Sequence, residues 1–333
     1  MRRRVDSRGA LELLEIPIVQ FACLAAGAFA NVRLTSVRPA AAGFEGKSTM
    51  AAQGGTMESS FANDNIRAER ERMNELIRGK MLAELPAANG RLSDRRIDPH
   101  PIIGTDYEGN QMSVAQFYLL LRAYSVTEKA GQDPTYKAAR IAIASDLAPR
   151  ARDAAFVALN QQSAEEAGHG DKVFGAAYYE MGGIAPALLA EDQLNSGGDF
   201  LEPVADPAIN TQKVLDMMAV LGGVETLALE RAFPLVLDAC ARWTHPLAAQ
   251  LIEQVNHNVK PEEARHVLTW RYLFHHGVVP RGEDAIERYF MLTNWGRDRF
   301  LAPRMERREF DRHMKAACPT TEQLIGRPLP VSI

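Results

Sequence analysis

The chain has 333 residues, 46% of them hydrophobic and 24% charged, with a formal net charge of -4. That composition is ordinary for a globular protein. Its mild acidity offers no electrostatic attraction to nucleic acid or an anionic membrane. Cys23, Cys240 and Cys318 stand apart, with no Cys-x-x-Cys pair. This argues against a disulfide framework, a thiolate zinc site or an iron–sulfur site, and it fits a reducing, cytoplasmic setting.

Residues 1–60 differ from the rest. Arg2-Arg3-Arg4 precedes an apolar run from Ile16 to Ala30, and Ala28-Phe29-Ala30 has the form of a signal-cleavage site. Glu12 and Glu15 before the run, and Pro17 and Gln20 within it, disfavour secretion. The run is also too short for a membrane span. The expectation is a disordered leader, or a translation start upstream of the true one at Met50 or Met57. Residues 61–100 read as a charged helix from Asn63 to Leu85, followed by a linker from Pro86 to Pro101 broken at Asn89-Gly90.

Residues 101–318 read as a single all-α domain. A first helix starts after Ser113, with Val114, Phe117, Leu120, Leu121 and Tyr124 as its apolar stripe. Gly131-Gln132-Asp133-Pro134 is expected to end it, and a second helix to run from Thr135 to Ala148. Pro149 opens another, which stops at Gly182-Gly183. Long helices follow from about Thr211 to Trp243 and from about Leu247 to His276. Bends are expected at Gly222-Gly223 or Pro234 in the first of these, and at Pro261 in the second. Shorter helical stretches cover Glu283–Thr293 and Arg297–Ala317, and residues 319–333 read as an extended tail. No segment reads convincingly as strand. The fold class is therefore all-α, a multi-helix bundle of about seven helices around one core.

Two Glu-x-x-His pairs carry the chemistry: Glu166/His169 and Glu263/His266. On a helix this spacing sets a carboxylate and an imidazole one turn apart on one face. Chance pairing of the 8 histidines with glutamate accounts for fewer than one such pair. Register adds to this. Glu166 is seven residues from Leu159 and from Val173, on the apolar stripe. Glu263 shares a face with Val259, Val267, Trp270 and Phe274. Glu165 reads as an outward bystander. An inward carboxylate is costly unless it is paired, and a metal ion removes the cost. The competing reading is a buried Glu–His hydrogen-bond network without metal. A dinuclear site needs further carboxylates, and Glu128, Glu225 and Glu230 lie on or near apolar stripes of other helices. Tyr118, Tyr124, Tyr178, Tyr179 and Trp270 lie on or near the site helices, as pocket lining or plain core. His257, His275 and His276 read as surface or helix-end residues. Arg297, Arg299, Arg304, Arg307 and Arg308 read as a solvated face.

The run from Asn160 to Asp171, NQQSAEEAGHGD, resembles the central helix of the heme-oxygenase-like superfamily. That group includes thiaminase II-like proteins, PQQ synthase-like oxidases and heme-oxygenase-like di-iron oxidases. The resemblance spans about residues 110–280. It implies a seven-helix fold with Glu166 and His169 as one ligand pair, Glu225 or Glu230 as a middle carboxylate, and Glu263 and His266 as the later pair. The family pattern also asks for a His four residues before Glu263, where this chain has Val259; His257 is out of register. A ferritin-like pattern does not need that His. Glu128, Glu166/His169, Glu230 and Glu263/His266 satisfy it. Either resemblance implies two iron ions per chain (or manganese), O2 as co-substrate, and oxidation of a small organic molecule such as an amino acid, amine or fatty acid. The rival expectations are a cofactorless ligand-binding protein of the same fold and an iron-storage protein. Neither nucleic acid nor a membrane is expected as a partner, and a homodimer is left open.

Overall fold

The computed structural model describes residue 79 and residues 82–184, 202–299 and 302–326. The expected leader at 1–60, and most of the charged helix after it, lie outside the described residues. Among those described, the architecture is all-α with one two-stranded sheet. No helix there is long and apolar enough to cross a membrane.

The first described helix, α1 (82–94), runs through the stretch expected to be a linker. Pro86, Asn89 and Gly90 do not break it, because Ala88 and Leu92 are buried in the core. Packing outweighs local propensity here. A hairpin follows, formed by β1 (Ile102–Thr105) and β2 (Gln111–Ser113), antiparallel and with an irregularity between Ile102 and Gly104. Asp106 Oδ1 accepts from the backbone N–H groups of Glu108 and Asn110, and Gly109 takes φ +85° to close the turn. These strands are too short for alternation to show in the sequence.

Helix α2 (Val114–Ile143) is capped by a reciprocal Ser113–Gln116 box. It is one helix of 30 residues rather than the two expected. Pro134 lies inside it. Thr135 Oγ1 donates to Gly131 O at 2.6 Å, and Ser163 from the neighbouring helix donates to Gln132 O at 2.9 Å, so carbonyls near the proline are satisfied. Helix α3 (Pro149–Gly168) continues through a π segment (His169–Phe174) into α4 (Gly175–Glu180), and Gly182 at φ +98° follows its end. The contact of α2 with α3 and its π segment is close. A Cβ on Gly170 would sit 2.8 Å from Ser125 O, and Ser125 Oγ donates to Gly170 O at 2.8 Å.

Helix α5 (Pro207–Leu227), capped by Asp206, passes through a π segment (Ala228–Ala232) into α6 (Phe233–Arg242). Next, α7 (Pro246–Gln254) leads by a π segment (Val255–Val259) into α8 (Lys260–Leu273). Both long helices occur where the sequence predicts them. Their irregularities are π segments flanking Pro234 and Pro261, since each proline sits in the first turn of the helix that follows. Helix α9 (Glu283–Arg299) packs on α5, and α10 (Arg307–Lys315) buries Phe310 and Met314. The expected extended tail is instead partly helical. The short α11 (Thr321–Ile325) has a Thr320–Gln323 capping box, a left-handed Gly326 at its end, and buried Leu324 and Ile325. A local cap and two apolar contacts suffice there.

Glycines set the closeness of α5 and α9. A methyl on Gly223 would overlap the Thr293 carbonyl, and one on Gly296 would overlap the Val220 carbonyl. Gly223→Ala should therefore destabilise the protein by about 1–3 kcal/mol, the usual cost of overpacking. Urea unfolding reads this out, and an unchanged midpoint would contradict the packing.

Candidate metal centre

Four long helical segments deliver the candidate ligands. Glu128 comes from the middle of α2, Glu166 and His169 from the α3–π junction, Glu225 from α5, and Glu263 and His266 from α8. All six are buried. They form two overlapping groups. Glu128, Glu166, His169 and Glu263 make one; Glu166, Glu225, Glu263 and His266 make the other. Within each group one ligand atom per residue lies within 4.8 Å of all the others. Glu166 and Glu263 belong to both. These buried carboxylate and imidazole groups could hold a metal ion.

Glu128 lies mid-helix in α2, facing the other ligands, rather than at a solvated helix end. Gly131, three residues on, gives Glu166 room, since a Cβ there would lie 3.1 Å from Glu166 Oε2. Of the two middle candidates, only Glu225 joins the centre. Glu230 lies five residues later, inside the π segment, and is exposed. It instead neutralises the buried Arg297 at 2.8 Å. A half-exposed grouping of Glu230 with Glu309 and His313 exists, with that arginine already on Glu230. Arg297 is thus no part of a solvated face. It donates to Glu230, Thr226 Oγ1 and the Pro303 carbonyl. His257 is exposed, as expected, and so is Tyr179, which therefore lines no pocket.

Glu165 is not a bystander. Its Oε2 accepts from His266 Nε2 at 3.0 Å, and its Oε1 accepts from Arg265 at 2.6 Å and Gln161 at 2.7 Å. The reciprocal contact runs the other way: His169 Nε2 donates to Glu262 Oε2 at 2.7 Å. Each Glu-Glu-x-x-His run therefore uses its second Glu as a shared central carboxylate and its first Glu to hold the opposite helix's imidazole. A carboxylate on Nε2 fixes the tautomer and turns the Nδ1 lone pair inward, as in most protein metal sites. The doubled Glu was the available sequence signal, but its partner lies about a hundred residues away.

The fit to cations shows in the donor atoms. His169 Nδ1 and Glu263 Oε1, both buried, face each other as an ion pair at 3.0 Å, but neither makes a well-directed hydrogen bond. Two buried ligand atoms that converge without a well-directed hydrogen bond suit a shared ion. The charge count agrees. Four carboxylates with two neutral imidazoles balance two divalent cations, leaving no uncompensated buried charge.

With no cation between them, protons neutralise the cluster. Burial, then repulsion from Glu225 and Glu263, pushes the Glu166 carboxyl well above its usual range. Burial and Glu263 do the same to Glu225, and burial raises Glu128. Burial opposes charge on both histidines, but their carboxylate neighbours prevail. Glu128, Glu262 and Glu263 push His169 up to about 12, and Glu263 leads in raising His266. Glu263 is held low by His266, and Glu165 is brought to about 2 by His266, Gln161 and Arg265, in both cases against burial.

Compared with known protein families, with curated proteins and with solved structures, the chain matches none.

The signs of these shifts give a pH test. Above the unfolded histidine value near 6.5, the folded metal-free protein holds more protons than the unfolded chain, on His169, His266 and the raised carboxyls. Its stability should therefore fall as pH rises from about 6.5 to 9. Divalent-metal affinity should rise over the same range, with proton release on binding. Thermal unfolding of metal-free protein and calorimetry in buffers of different ionisation enthalpy check both. Uptake without proton release would contradict the assignment.

Proposed function

We propose that this chain is a carboxylate-bridged dinuclear metalloprotein, a non-heme di-iron or di-manganese oxidase or oxygenase acting on a small organic substrate. The observation that carries the metal reading is the overlap of two buried ligand groups through Glu166 and Glu263. A Glu from each of two helices, plus a Glu-x-x-His from each of two others, is the ligand plan of helical dinuclear carboxylate proteins. Glu128 in the cluster is what the ferritin-like pattern asks for, while Glu225 in place of Glu230 is the middle carboxylate named in the heme-oxygenase-like pattern, so the two resemblances share this ligand plan.

Bound iron in such a site supplies O2 reduction and the oxidising power for substrate attack. The chain's own residues do the rest. Glu166 and Glu263 would be the carboxylates common to two ions, and Glu128 with His169, and Glu225 with His266, would complete the two positions. Glu165 and Glu262 keep each Nδ1 facing inward. Fully buried Trp270 and Phe174 help to close the surrounding core to water, as the oxidative chemistry requires.

Glu166→Ala or Glu263→Ala should abolish loading of both ions while helix content survives, because each removes a ligand common to both positions. Metal analysis with circular dichroism reads this out, and retained two-ion binding would refute the ligand set. For the activity, anaerobic Fe(II) loading followed by O2 should give rapid oxidation with a transient visible absorption. Oxidation no faster than that of free Fe(II) would remove the oxidase reading. Uptake far beyond two ions per chain would favour storage.

A further inference from the structure

The two candidate metal positions are related by exchange of the Glu-Glu-x-x-His helices, and one difference between them touches a ligand carboxylate directly. Gln162 lies one turn before Glu166 on α3, buried to 1% exposure. Its Nε2 donates to Glu225 Oε1 at 2.8 Å and lies 3.4 Å from Glu166 Oε1. Its Oε1 is buried and has no partner. The residue in the equivalent place on the other helix, one turn before Glu263, is Val259, fully buried and apolar. Val259 can offer Glu128 no amide.

The orientation of the amide follows from its neighbour. A metal-bound carboxylate is ionised and only accepts, so Nε2 must face Glu225. The carbonyl oxygen of the same planar group is then left as an acceptor beside the centre. A buried, unsatisfied amide oxygen is costly, and a donor brought with the metal would satisfy it.

Resting on the dinuclear reading above, we propose that Gln162 is a positioning residue for one metal only, the ion held by Glu225 and His266. Its N–H fixes the Glu225 carboxylate, and its carbonyl oxygen accepts from water bound to that ion. The two positions are consequently inequivalent. The Glu225 carboxylate has a buried amide donor beside it, whereas the matching place on the other helix is the apolar Val259. Loss of an outer-layer partner of this kind typically costs 10–100-fold in metal affinity.

The test is a Co(II) titration of the full chain followed by visible absorption, with circular dichroism of each metal-free variant as the check on folding. Wild type should bind two ions. Gln162→Met, which conserves volume, should weaken one step by about 10–100-fold and leave the other within about threefold. Gln162→Glu keeps an acceptor but loses the donated N–H, and should weaken the same step. In a Glu225→Ala background, which already lacks that position, Gln162→Met should change the remaining step by less than about threefold. Equal weakening of both steps, no change in either, or an undiminished effect in the Glu225→Ala background would overturn the inference while leaving the dinuclear reading intact. A wild-type protein that binds no Co(II) would overturn both.

Discussion

Six ionisable side chains face one another in the protein interior, and the rest of the structure is arranged around that. Glu128, Glu166, Glu225 and Glu263, with His169 and His266, are all buried and form two groups of ligand atoms, each within 4.8 Å, that share Glu166 and Glu263. Four carboxylates cannot share a low-dielectric space as anions. Either protons or cations must enter. Protonation leaves His169 Nδ1 and Glu263 Oε1 as an ion pair without a well-directed hydrogen bond, whereas two divalent ions would balance the four carboxylates.

The long helices can be read as the frame that holds these groups to a small spacing. Each of the three π segments at the centre lies within four residues of a ligand: one begins at His169, one begins three residues after Glu225, and one ends four before Glu263. A π segment adds a residue to a turn and changes which side chains share a face, and it is often found at functional sites. The extra backbone width has to be absorbed by neighbours. Ser125 satisfies the Gly170 carbonyl, while Thr226 and Arg297 tie α5 to the end of α9.

Much of the centre was legible in the sequence. The all-α class, the Glu-x-x-His pairs and their inward register follow from helical periodicity alone. The choice between Glu225 and Glu230 did not, because a regular helix was assumed where a π segment intervenes. Glu128 was left open because the helix was expected to end just after it, whereas α2 continues through Pro134 and keeps Glu128 buried mid-helix. The role of Glu165 was misread because its partner, His266, is on another helix, and a face argument within one helix cannot see it. The hairpin and α11 were missed because they are too short for a pattern.

The central claim is that Glu166 and Glu263 each touch two cations. Crystals of Fe(II)-loaded protein, measured at the iron absorption edge, test it most directly. The account predicts two anomalous peaks roughly 3.5–4 Å apart, both within bonding distance of Glu166 and Glu263, with His169 Nδ1 on one and His266 Nδ1 on the other. A single peak, or two peaks that do not share those carboxylates, would contradict it.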